Sequence, residues 1–190
     1  MRISQSSTGR SSDREIVMHM ENIVTIKIEQ GGDQALHEFY FSYIAYLRAA
    51  YVWFHSAHHA TRGVSFSGDH TSLYTKIYEF FEAEIDGVIE KGVAQVGMEL
   101  VCPKEQLAAA AQIVCCYPSP ATVSPTAIAA TGLCFVKDIV EFIEEQFKCL
   151  EDKGCLSLGL NDMLAAHANG IETFIYLLKQ RTAVEMEGNL

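Results

Sequence analysis

Four of the chain's seven histidines, His55, His58, His59 and His70, fall within 16 consecutive residues, and Asp86 and Glu90 follow at i, i+4 spacing. On a helix that spacing puts both carboxylates on one face. Two imidazoles and two carboxylates form a nitrogen–oxygen donor set suited to Fe2+, Zn2+ or Mn2+. His70 and Asp86 are 16 residues apart, about 24 Å along a helix, so one chain does not bring both to a single metal. A two-fold pair of chains does, if the histidine corner of one subunit lies against the mid-helix carboxylates of the other. Spacing alone leaves a second reading open: histidines that pack or face water, and a carboxylate pair on a solvated helix face.

Other chemistry is poorly supported. No Glu-x-x-His occurs, so a di-iron site built inside one bundle from such pairs is disfavoured. The six cysteines form no Cys-x-x-Cys pair, and Cys115 and Cys116 are adjacent, which suits neither structural zinc nor a redox motif. They are expected to be buried free thiols in a reducing compartment, the cytoplasm. His167 is expected to be a hydrogen-bonded histidine and Trp53 a packing residue.

Lys plus Arg number 14 and Asp plus Glu 24, a net charge of −10. That balance argues against a general nucleic-acid binder, which needs clustered cations. Arg2, Arg10 and Arg14 are the only Lys or Arg residues of the polar stretch 1–15, so DNA is not an expected partner. With 190 residues, 49% of them apolar, the chain has material for one well-buried domain. No apolar run is long enough to span a bilayer, and the first residues lack the apolar stretch of a secretory signal.

These residues need long helices to carry them. Residues 1–32 read as a tail or arm, with a short strand possible at Ile23–Glu29 before Gly31-Gly32. From Asp33, a plausible N-cap, Leu36, Phe39, Tyr40, Tyr43, Ile44, Leu47, Tyr51 and Phe54 follow helical spacing up to Gly63. A second helix runs from about Asp69 to Val96 on the stripe Leu73, Ile77, Phe80, Phe81, Ile85, Val88 and Ile89. All four prolines then lie between positions 97 and 126, where Lys104–Cys116 reads as a short helix within a long crossover. A third helix fits Ala127–Asp152 and a fourth Leu158–Arg181, leaving 182–190 as a tail. Two helical hairpins joined by one long connection predict an all-α fold, a four-helix bundle of ferritin-like connectivity.

The segment Ala57-His58-His59-Ala60-Thr61-Arg62-Gly63-Val64-Ser65-Phe66, then Asp69-His70, Ile77-Tyr78, Ile85-Asp86 and Glu90, resembles the Dps family of mini-ferritins. The family pattern is His-Trp-x-x-[Lys/Arg]-Gly-x-x-Phe, a second His twelve residues after the first, and Asp-x-x-x-Glu further on. Leu160–His167 with Phe174 and Leu177-Leu178 also looks like the family's last helix. The resemblance spans about residues 33–181. It implies that His58 and His70 of one chain and Asp86 and Glu90 of a neighbour bind Fe2+. It further implies oxidation by peroxide or O2, ferric oxide held in a hollow shell, and assembly of dimers into a dodecamer. A shell of the same fold that binds Zn2+ or Fe2+, or is purely structural, is the alternative.

Three positions depart from the pattern. His59 stands where the family usually has Trp and becomes a possible extra ligand. The interval from His70 to Asp86 is one residue longer than usual, so the loop or the start of the second helix must absorb an insertion. Tyr74 stands where an acidic residue often follows the second histidine.

Overall fold

The computed structural model describes residues 32–187, with side chains through position 183. The arm, the strand at Ile23–Glu29 and the last three residues lie outside the described residues. All the regular structure described is helical. Helix α1 spans Gly32–Ala60. A π-helical turn at Gly68–Tyr74 leads into α2, Thr75–Val96. The crossover carries α3, Pro103–Val114, between the 3-10 turns Met98–Val101 and Pro120–Thr122. Helices α4, Pro125–Asp152, and α5, Leu158–Glu187, follow.

Local chemistry sets these boundaries. Ser124 caps α4 by accepting the Ala127 N–H at 3.2 Å, with Pro125 in the first turn. Ser157 does the same for α5 through the Leu160 N–H. The end of α4 is closed by Gly154 at φ 68°, with Cys155 N–H on the Leu150 carbonyl and Gly154 N–H on that of Glu151. That is a Schellman closure, which needs the left-handed residue glycine supplies. Several expected ends shift: α1 closes at Ala60 short of Gly63, α2 proper opens at Thr75 after the π turn, α3 covers Pro103–Val114 and not Lys104–Cys116, and α4 opens at Pro125 and not Ala127. Asp33 lies inside the first turn of α1, where its charge still faces the helix N-terminus. Helix α5 continues six residues beyond Arg181 to Glu187, because nothing in Thr182–Glu187 breaks a helix.

The apolar stripes meet as expected. Helices α1 and α2 pair as one hairpin and α4 and α5 as the other, while α3 packs along α1. Phe54 on α1 stacks against Phe81 of α2 and Phe135 of α4, at 6.0 and 6.1 Å. Trp53 is buried against the edge of Phe135 and donates its indole N–H to the Pro118 carbonyl of the crossover at 3.1 Å. Trp53 is thus a packing residue. A Cβ on Gly132 of α4 would stand 2.9 Å from the Phe54 ring, so glycine permits the closeness of α1 and α4. Arg48 of α1 donates to the buried Gln106 side chain of α3 at 2.9 Å, and Gln106 in turn donates to the Leu100 carbonyl.

The cysteines depart from expectation. All six are free, but Cys115, Cys116 and Cys134 are exposed and Cys102, Cys149 and Cys155 only half-buried. Cys115 and Cys116 follow the last residue of α3, where the chain turns outward to solvent. Among the described residues no helix is long and apolar enough to cross a membrane.

Candidate metal centre

The turn between α1 and α2 brings His58 and His70 face to face. Their rings stack with centroids 3.7 Å apart and planes 20° from parallel. His58 Nδ1 lies 2.9 Å from the His70 carbonyl, and His70 Nδ1 lies 3.0 Å from the His58 carbonyl. A carbonyl only accepts, so both Nδ1 atoms carry the proton and both Nε2 atoms keep a lone pair. Two threonines repeat the symmetry. Thr75 donates to the His70 carbonyl at 2.6 Å and accepts from His58 Nδ1 at 3.0 Å. Thr61 donates to the His58 carbonyl at 2.7 Å and lies 3.3 Å from His70 Nδ1. Metal-binding imidazoles are commonly fixed in this way, by a hydrogen bond on the ring nitrogen that faces away from the metal.

Burial pushes the His58 imidazole below its ordinary pKa. Its bond to the His70 carbonyl opposes that, and the neighbouring His70, His59 and His55 rings add to it. The neutral imidazole, the form that ligates, is therefore favoured at neutral pH.

The corner is held from three sides. Gly63 takes φ 78° just after α1 ends, and Arg62 donates to the Val123 carbonyl of the crossover at 2.7 Å. Buried Asp69 accepts from Arg181 of α5 at 2.9 and 3.1 Å, and the same guanidinium reaches Ser65 at 2.8 Å. The π-helical turn accommodates His70 itself. A π turn is the usual way for a helix to absorb one extra residue without losing its course.

Asp86 and Glu90 stand exposed on α2. Neither makes a hydrogen bond or ion pair among the described residues. Sixteen residues of helix separate Asp86 from His70, so within this chain the carboxylates and the imidazoles do not meet. Among the described residues no three His, Cys, Asp or Glu side chains gather to hold a metal. His59 is exposed, and its ring meets His58 and His55 edge-on at 4.8 Å.

No protein-family model matches the chain. No curated protein matches it either.

A second polar cluster lies inside the bundle. His167 of α5 is 5% exposed and places Nε2 2.5 Å from Glu84 of α2, while the Tyr43 hydroxyl of α1 lies 2.7 Å from Nδ1. Burial first, then the Glu84 charge, pushes the Tyr43 hydroxyl well above its usual range, so it keeps its proton and donates it to Nδ1. His167 then donates from Nε2 to Glu84 and stays neutral. Burial holds its pKa below the ordinary value against the pull of Glu84, since a second ring proton would strand the buried Tyr43 O–H. His167 is thus a satisfied core histidine, as its lone position in the sequence suggests. Glu84 and Tyr43, three helices and 124 residues away at the widest, carry no sequence signal that pairs them with it.

Proposed function

We propose that this chain is a Dps-like mini-ferritin, a ferritin-like four-helix bundle that assembles through dimers into a hollow shell and oxidises and stores iron. The observation that carries the reading is the reciprocal His58–His70 pair. Two imidazoles, with their Nδ1 protons tied to each other's carbonyl, are preset to ligate through Nε2. The resemblance of residues 57–90 to that family supplies the partners, Asp86 and Glu90 of a neighbouring subunit.

Three further features support it. The carboxylates project to solvent with no partner of their own among the described residues, and their distance from His70 along α2 requires a second chain. The hairpins are joined by one long crossover, as in ferritin-like bundles. A net charge of −10 per chain concentrates cations at an assembled shell.

In this reading Fe2+ is the substrate. Imidazole and carboxylate donors hold it, and the anionic oxygens favour the ferric product. Two Fe2+ each yield one electron to one peroxide, which takes up two protons and leaves as water; O2 is the other available oxidant. The acidic interior then nucleates ferric oxide. A Zn2+-binding shell without turnover is the second reading, favoured by the additional imidazole of His59 beside His58.

Anaerobic loading of the apo-protein with Fe2+, followed by peroxide, tests the proposal. Ferric absorbance should rise faster than in a protein-free control, and iron should stay with the particle well above one or two atoms per chain. No acceleration over the control overturns the ferroxidase reading in favour of the zinc or structural shell.

A further inference from the structure

We propose that His55 and His59 form a second metal site, a two-imidazole chelate for a borderline divalent cation such as Ni2+, Cu2+ or Zn2+, separate from the His58–His70 pair. The two residues are one helical turn apart near the end of α1. Residues at i, i+4 place their Cβ atoms about 5–6 Å apart on one face, a span that two imidazoles close onto one cation at about 2.0–2.1 Å per bond. Their ring centroids lie 4.8 Å apart at 75°.

The surroundings favour this use over simple packing. Neither ring makes a hydrogen bond or ion pair among the described residues, so all four ring nitrogens remain available. This contrasts with His58 and His70, whose Nδ1 atoms are engaged. His55 is half-buried and oriented by Tyr51, which stacks on it at 5.8 Å within 5° of parallel, and by Tyr78, edge-on at 5.0 Å. His59 is exposed, so a cation reaches the pair from solvent. His59 also lies in the last turn of α1, at the negative end of the helix dipole, which attracts a cation. Imidazole donors select Ni2+, Cu2+ and Zn2+ over Mg2+ and Ca2+.

The inference stands apart from iron oxidation, and its test keeps the two distinct. Full-length chain carrying His58→Ala and His70→Ala, stripped of metal and kept reduced, is dialysed against Ni2+ and the bound nickel counted. One Ni2+ per chain should remain. Adding His59→Gln or, separately, His55→Gln should weaken that binding roughly a hundredfold, because a two-point attachment becomes a single contact. A His58/His70-deficient chain that binds no nickel overturns the proposal. So does nickel that survives both glutamine substitutions, which would then reside on other groups such as His19 or His37. An unaltered nickel site in a protein that fails to oxidise iron sinks only the ferroxidase reading.

Discussion

Asp69 and Arg181, 112 residues apart, form a buried ion pair that ties the histidine corner to the last helix. Arg181 Nε lies 2.9 and 3.1 Å from the two carboxylate oxygens of Asp69, with the side chains only 5% and 13% exposed. Asp69 immediately precedes His70, so α5 helps fix the main chain whose carbonyl receives the His58 proton.

Removing one partner of such a pair leaves a buried charge uncompensated, a loss of about 3–5 kcal/mol. Arg181→Ala should therefore lower the urea midpoint markedly. Arg181→Ala with Asp69→Ala should recover part of that loss. An unchanged midpoint in Arg181→Ala would mean that the pair does not hold the corner.

Iron oxidation should follow the ligand assignment. Asp86→Ala should abolish rapid Fe2+ oxidation while light scattering still finds the assembled particle, because the exposed Asp86 supports no contact within its own chain. His58→Ala should abolish oxidation too, and His55→Ala should spare it. Full activity in Asp86→Ala would sink the carboxylate assignment, and equal losses in the two histidine variants would sink the choice of His58.

The threonine bonds give a finer test. Thr75→Val keeps the shape of the side chain but removes the hydroxyl that His58 Nδ1 and the His70 carbonyl share. Loss of such an outer partner typically costs about 10–100-fold in metal affinity. Calorimetric titration with Zn2+ should show a drop of that size with little change in thermal midpoint. Unaltered affinity would show that the carbonyl bonds alone fix the ring.

The buried His167 makes stability depend on pH. Its folded pKa lies below the ordinary value of 6.5, so between the two values the unfolded chain binds the extra proton. The stabilisation from keeping the ring neutral is complete above about 6.5 and is lost as pH falls through the folded pKa, at no more than about 1.4 kcal/mol per pH unit for one proton. In metal-free protein, His58 contributes in the same direction. Urea unfolding at stepwise lower pH should therefore show a shallower decline in His167→Gln than in the parent. Parallel declines would remove His167 as a source.

Much of the helical framework was legible beforehand for a simple reason. Helical periodicity reports which face of a segment is apolar: Ile77, Phe81, Ile85 and Val88 are buried along α2 and Leu73 in the turn before it, while Phe80 and Ile89 are half-buried against the same core. Helix ends follow the sequence less closely where capping and breaking signals are weak: α5 runs past Arg181, whereas Gly154 marks the close of α4. The cysteines lie further out than their residue type predicts, because type carries only an average burial and three of these six sit on outward-facing positions.

By itself, the sequence determined the all-helical framework of residues 32–187, the twelve-residue spacing of His58 and His70, and the separation of that pair from Asp86 and Glu90. These are properties of spacing along one chain. Tertiary structure decided the rest: the stacked rings with exchanged carbonyl bonds, the π turn that carries His70, the Asp69–Arg181 tie and the Tyr43–His167–Glu84 line through the bundle. Each depends on the axial register of one helix against another. Periodicity fixes the face a residue occupies but not the height at which a side chain on a distant helix meets it.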